Sequence, residues 1–185
     1  RDKMVAPLPD LIAYRTSTGI FYEMFNRYET RFAEYFGHLF EAYTGRLLAA
    51  AVSSEALISE ASIRQTYRES SGKVPDWIVL DGSTAILIEC KATPFSLSAL
   101  TTRALESTDY SLKQVRTALR QLHEFRQAVT KKAPGLERFH HCSEIKPVVV
   151  TFEPLYLVNS VFFRDHINRL LLESDNITGL PWRIL

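Results

Sequence analysis

The sequence predicts a single α/β layered domain built on a mixed sheet. Two segments, about 20–51 and 109–132, repeat apolar residues three and four apart, the period of one helix face. Between them lies VPDWIVLDGSTAILIECKA, residues 74–92, two apolar strands joined across Asp-Gly, a strong hairpin signal. After the second helix, Pro147 to Phe152 is a short Val-rich run of the kind buried in a sheet. Helices interleaved with strands in this order pack as layers against a sheet.

The bulk numbers agree. A chain of 185 residues suits one domain with a sizeable core. With 46% hydrophobic and 23% charged residues it has the make-up of a globular protein, not a disordered one. A formal net charge of +1 excludes a globally basic nucleic-acid binder, so any such contact must come from a local patch. Cys90 and Cys142 are the two cysteines, and Cys90 sits mid-strand, which fits a reduced, cytoplasmic chain better than a disulfide-stapled one. No apolar run approaches the ~20 residues of a membrane span. The opening Arg1-Asp2-Lys3 has no initiator Met and no signal-peptide shape, so a piece of a longer protein is expected. Partner domains, subunits of a larger assembly or further copies of the chain are compatible with that.

In chain order, Phe21, Phe25, Tyr28, Phe32, Tyr35, Phe36, Leu39 and Tyr43 mark the buried face of the first helix, with Thr18 before Gly19 as its cap. Gly37 is the expected bend or break. Over 59–71, Ile63, Gln65 and Tyr67 alternate with Arg64, Thr66 and Arg68, which predicts a half-exposed strand. Ser70 to Lys73 is a loop, and the hairpin follows as Trp77 to Leu80 and Ala85 to Lys91. A connecting loop covers 93–108. Leu112, Val115, Leu119, Leu122, Phe125 and Val129 form the stripe of the second helix, which Pro134-Gly135 ends. Asn159-Ser160 is expected to cap a third helix through Leu172, and Trp182 to Leu185 to form a last strand.

The hairpin carries the chemistry. Asp76, Glu89 and Lys91 stand where a buried strand would carry Val or Ile. Side chains alternate along a strand, so Glu89 and Lys91 share a face and Cys90 points away. With Gly82-Ser83 as the loop, Asp76 lies directly across from Glu89; with Asp81-Gly82 it is diagonal to it. Both registers put Asp76 on that face, within ~4.5–8 Å of Glu89. Two carboxylates this close repel, and one would take up a proton unless a cation intervened. Oxygen ligands with room for water suit Mg²⁺ or Mn²⁺ better than Zn²⁺. The bland alternative is an ion pair of Lys91 with Glu89 or Asp76, but three polar groups converging on an apolar hairpin favour a site for metal-assisted hydrolysis.

Pro75-Asp76 followed by Glu89-Cys90-Lys91 at the end of the next strand resembles the PD-(D/E)xK nuclease superfamily, with its restriction-endonuclease-like αβββαβ core, over roughly residues 30–153. On this reading 1–185 is a single nuclease-like domain, with 154–185 a C-terminal helix and strand. Gly37-His38-Leu39-Phe40-Glu41 resembles the Gly-x-x-x-Glu signature of the RecB-type and Holliday-resolvase-like branches, and a Gln on the second helix fits them too. The resemblance implies that Asp76 and Glu89 bind metal, that the backbone carbonyl of Cys90 is a third ligand, and that Lys91 is the catalytic amine. It makes Glu41 a supporting ligand and Gln114 an accessory residue. Gln121, one heptad on, lies on the same flank, and Gln114 is preferred because it is nearer the helix start. A bend at Gly37 would bring Gly37, Glu41 and Thr44 into one line.

The activity so implied is Mg²⁺-dependent cleavage of DNA by an endonuclease domain of a DNA-processing or anti-phage defence protein. A non-cutting module that binds nucleic acid or assembles a complex, and an RNA-cutting enzyme on the same scaffold, are the alternatives. Lys113, Arg116 and Arg120, spaced at three and four on the second helix, fit a phosphate-tracking stripe or, equally, a solvated helix face. His140-His141-Cys142 reads as a polar loop, because no second Cys/His pair stands at finger-like spacing.

Overall fold

In the computed structural model, residues 12, 13, 16, 18–67, 73–92, 110–152 and 161–185 are described. Helix α1 (Thr18–Ala51) leads into a short strand β1 (Leu57–Ser59) and a two-turn helix α2 (Glu60–Thr66). The hairpin β2 (Trp77–Asp81) and β3 (Thr84–Lys91) follows, then helix α3 (Tyr110–Thr130) and strand β4 (Glu144–Thr151). Helix α4 (Val161–Asp175) and the short strand β5 (Arg183–Ile184) end the chain. The strands form one open sheet in the order β1-β2-β3-β4-β5, antiparallel across the first three and parallel from β3 to β5. This is an α/β fold with a mixed sheet.

Alternation along β3 divides the core. Ala85 and Leu87 face α3 and α4 in the larger apolar cluster, whereas Ile86, Ile88 and Cys90 face α1 in a smaller one with Trp77, Val79 and Val148. The stripe of α3 is buried from Leu112 through Val129, as its spacing predicts. Pro147 is tolerated inside β4 because its missing N–H faces β5. Val149 and Thr151, of the same parity, bond to Leu185, but β5 begins only opposite Val148.

Three expectations are corrected. The described part of the stretch 59–71 is not the expected strand: beyond Ser59, the last residue of β1, it is the helix α2 and Tyr67. Ser59 Oγ caps α2 by accepting from the Ser62 N–H at 3.3 Å, and Arg64 pairs with Glu60 one turn earlier. Ile63 and Tyr67, both buried, are four apart, a spacing that fits a period of two and a period of 3.6 alike. Helix α1 does not break at Gly37 but at Glu29, whose φ of 44° and ψ of −126° are non-helical. The break lets Phe21 fold back onto Phe32, Phe36 and Phe152, with ring centroids 5.4, 4.6 and 5.0 Å away, and the buried rings offset the strain. Finally, the aromatic stripe of α1 is split. Phe32, Phe36 and Phe40 turn inward, whereas Tyr35 and Leu39 are 69% and 64% exposed and Tyr28 and Tyr43 are exposed beside them.

Residues 68–72, 93–109 and 153–160, with Arg68, the connecting loop and the Asn159-Ser160 cap, lie outside the described residues. Cys90 and Cys142 are free thiols, and among the described residues no helix is long and apolar enough to cross a membrane.

Candidate metal centre

The hairpin register is fixed by its turn. Asp81 pairs with Thr84, so Gly82-Ser83 is the two-residue loop, and Gly82 supplies the positive φ of 56° that such a turn demands. Of the two registers open to the sequence this is the one that sets Asp76 across from Glu89, one step beyond the Trp77–Ile88 pair. Asp76 Oδ2 accepts the Cys90 N–H at 2.7 Å, which pins the carboxylate at the end of the sheet.

Helix α1 reaches the same point from the other side. Trp77 Nε1 donates to the Glu41 carbonyl at 3.1 Å, and Gly45 lies so close to the Trp77 ring that a Cβ would overlap it. This contact lays Gly37, Glu41 and Thr44 along the inner face, without the bend at Gly37 that the sequence reading invoked. Helix α2 adds Glu60, whose N–H donates to the Asp76 carbonyl at 3.0 Å. Glu41, Glu60 and Asp76 each present a carboxylate oxygen, all within 4.8 Å of one another, and all three side chains are half-buried.

Glu89 and Lys91 stand beside this trio. Lys91 Nζ donates to Glu89 Oε1 at 2.8 Å, so the ion pair that the sequence left as an alternative does form. The amide of Gln121 is oriented by its neighbours. Its NH₂ lies 2.9 Å from Glu89 Oε1 and its oxygen 2.8 Å from Lys73 Nζ, which gives each acceptor a donor. Gln121 and Glu89 are only 5% and 6% exposed. The glutamine that touches a site carboxylate is therefore Gln121; Gln114, the expected one, lines a cleft next to Cys90 and Lys91 two turns away. The Cys90 side chain faces α1 and hydrogen-bonds Thr44, and burial pushes its thiol up to about 12. A thiol so suppressed leaves the backbone of Cys90 as its contribution here, and the N–H of that backbone is the group that touches Asp76.

Burial raises all three predicted carboxylates. Glu41 is raised by burial, then by Asp76 and Glu60; Asp76 is raised by burial, against the pull of the Cys90 N–H and Lys91. Glu89 is pushed up to about 7 by burial, with Asp76 adding and Lys91 and Lys73 opposing. A raised carboxyl stabilises the fold while it keeps its proton. Glu89's share is complete below about 4.5 and is lost as pH rises to about 7. The metal-free chain is expected to melt lower at about pH 8 than at about pH 5, by a free energy on the order of 1–3 kcal/mol, and Glu89→Gln to flatten most of the difference. A melting temperature that holds or rises over that range contradicts the burial of this carboxylate. Asp175 works in the opposite sense but below this window, because Arg116 holds it under the usual carboxylate range.

The candidate phosphate-tracking stripe is largely occupied. Arg116 makes a bidentate pair with Asp175 at 2.7 and 3.0 Å, and Arg120 bonds Glu124 at 2.8 Å and lies 3.8 Å from Asp175. These arginines tie the end of α4 to α3, and of the three only Lys113 stands exposed with no such carboxylate among the described residues. Glu60 was missed because its segment read as a strand; the signal was Ser59 followed by an acid, a helix start. Gln121 bonds Glu89, and Lys73 bonds Gln121, through tertiary packing that no local pattern announces. No family model, curated protein or solved structure matches the chain.

Proposed function

We propose that this chain is a Mg²⁺-dependent nuclease of restriction-endonuclease-like fold that hydrolyses phosphodiester bonds in DNA. The observation that carries the reading is the convergence of Glu41, Glu60 and Asp76, from three separate elements, at the end of a hairpin where Lys91 is held by Glu89. Half-buried carboxylates gathered this closely repel one another, a poor arrangement alone and a good one around a hard cation. The donor set therefore fits Mg²⁺ or Mn²⁺, which Glu41, Glu60 and Asp76 would hold, with Glu89 and the Cys90 carbonyl next to them. Such an ion, when bound, supplies positive charge to a phosphoryl oxygen and acidifies water.

The chain's own residues do the rest. Asp76 is fixed by the Cys90 N–H, so its position does not depend on a flexible rotamer. Glu89 is clamped between Lys91 and Gln121, which holds the Lys91 ammonium at the edge of the carboxylate group, where it can meet a phosphate oxygen or orient the attacking water. The site lies at the carboxyl ends of the parallel strands β3 and β4, the usual place for ligands in open α/β sheets.

The test is incubation of the chain with supercoiled plasmid, linear duplex, single-stranded DNA and RNA, each with Mg²⁺, Mn²⁺ or chelator. Cleavage of DNA that needs the metal and stops in chelator is expected, together with a rise in melting temperature on adding Mn²⁺. Cleavage of none of the four, with no Mn²⁺ shift, overturns the reading; cleavage of RNA alone reassigns the substrate.

A further inference from the structure

Next to the carboxylates lies a cleft of about 450 Å³ that the cleavage chemistry leaves unused. Its walls come from both arms of α1 on either side of the Glu29 break, from the end of β3 and from the start of α3. Phe25, Thr30, Glu34 and Gly37 face Lys91 and Gln114 across it. The volume is that of a small-molecule pocket rather than of a packing defect.

The lining has the chemistry of a nucleobase site. Phe25 is half-buried and stacks at 19° on Phe21 at a centroid distance of 6.0 Å, while Phe21 is itself wedged against Phe36 and Phe152. The Phe25 ring is thus backed by a fixed aromatic cluster, a rigid platform for a flat π-face. Glu34 offers acceptors for an exocyclic amine, and Thr30 and Gln114 offer both donors and acceptors. Lys91, at the same cleft, supplies the charge a phosphate needs. At Gly37 a Cβ would meet nothing within 4 Å, so the floor is open there.

We infer that this cleft takes an unpaired nucleobase of the strand whose phosphodiester lies at Lys91, and that the chain therefore acts on single-stranded nucleic acid in preference to intact duplex. A paired base cannot reach the Phe25 ring without leaving its stack, so duplex bears an unstacking cost that a single strand does not. The identity of the strand rests on the nuclease reading; the existence of the base site does not.

The experiment measures binding of a short oligonucleotide containing 2-aminopurine, as single-stranded DNA, single-stranded RNA and blunt duplex, to the full chain in Ca²⁺. Cleavage of the same strands in Mg²⁺ is followed in parallel. The variants are Gly37→Leu, which fills the cleft at a helical position where leucine is favoured over glycine, Phe25→Ala, and Leu39→Ala on the outer face of α1 as control. Single strands are expected to bind at least about tenfold tighter than duplex, with a fluorescence change as the base stacks. Gly37→Leu and Phe25→Ala should each lose about tenfold for single strands and little for duplex, and Leu39→Ala should match the parent chain. The DNA and RNA arms show which sugar the strand carries. Duplex binding as tight as single-strand binding overturns the inference, as does unchanged single-strand binding in both cleft variants. If the parent chain cleaves and Gly37→Leu cleaves single strands equally fast, the base site falls and the nuclease reading stands. If binding behaves as expected and nothing is cut, the nuclease reading falls and the base site stands.

Discussion

Asp76→Ala is expected to lower metal-dependent cleavage by about a thousandfold or more, while the melting temperature moves by only a few degrees. The side chain is half-buried, and losing its bond to the Cys90 N–H costs about 1–2 kcal/mol. Part of that is returned, because the carboxylate that raises the pKa of Glu41 is gone. Lys91→Ala separates a catalytic amine from a structural ion pair. Were Lys91 only a partner for Glu89, its loss would lower stability, since Glu89 would stay buried without its cation, and the rate per folded molecule would not change. As the amine at the site, its loss should cut that rate by about a hundredfold or more even after correction for the folded fraction. Rates measured at a temperature where both variants are fully folded check this, and cleavage at the parental rate by either variant removes the assignment.

The legible parts of this molecule are those that a local pattern determines. The α3 stripe from Leu112 to Val129, the Asp-Gly hairpin and the Val-rich strand each obey a period or a turn rule within one segment, and each stands where the sequence puts it. Asp76, Glu89 and Lys91 were legible because charged groups in an apolar hairpin need a reason. Elsewhere a local signal fitted two answers, and packing chose between them. Ile63 and Tyr67 fit strand or helix, and the Ser59 cap decided for helix. The aromatics of α1 cover too much of the helix to define one face, and the sheet selected the phenylalanines over the tyrosines, whose hydroxyls do well in water. The Arg116 and Arg120 stripe could not be told from a solvated face or an ion pair without Asp175, 59 residues further on. Glu60 and Gln121 joined the site through contacts between distant elements, and the same packing sets Gln121 against Glu89 and Gln114 in the cleft beside Lys91.

The second large effect is expected far from the carboxylates. Trp182→Ala should destabilise the domain by about 3–5 kcal/mol and lower its melting temperature by about 10 °C. Trp182 is fully buried; its Nε1 donates to Asn168 Oδ1 on α4 at 2.9 Å, and the Arg164 guanidinium lies 5.1 Å from its ring centroid. Removing it leaves a cavity between α4 and the sheet and breaks the bond to Asn168. It also loosens β5, which begins at the next residue and holds the end of β4 through Leu185, whose carbonyl accepts from the Thr151 N–H at 2.8 Å. Thr151 is the register partner of Lys91, so this short strand braces the edge of the sheet on which the site is built. Trp182→Phe keeps most of the ring volume but not the donor, and should cost about 1–2 kcal/mol, the Asn168 bond alone. The rate per folded molecule should be nearly parental in both, because neither change touches a site group. A melting temperature untouched by Trp182→Ala would mean that the C-terminal helix and strand are an appendage to the rest of the sheet instead of the brace described above.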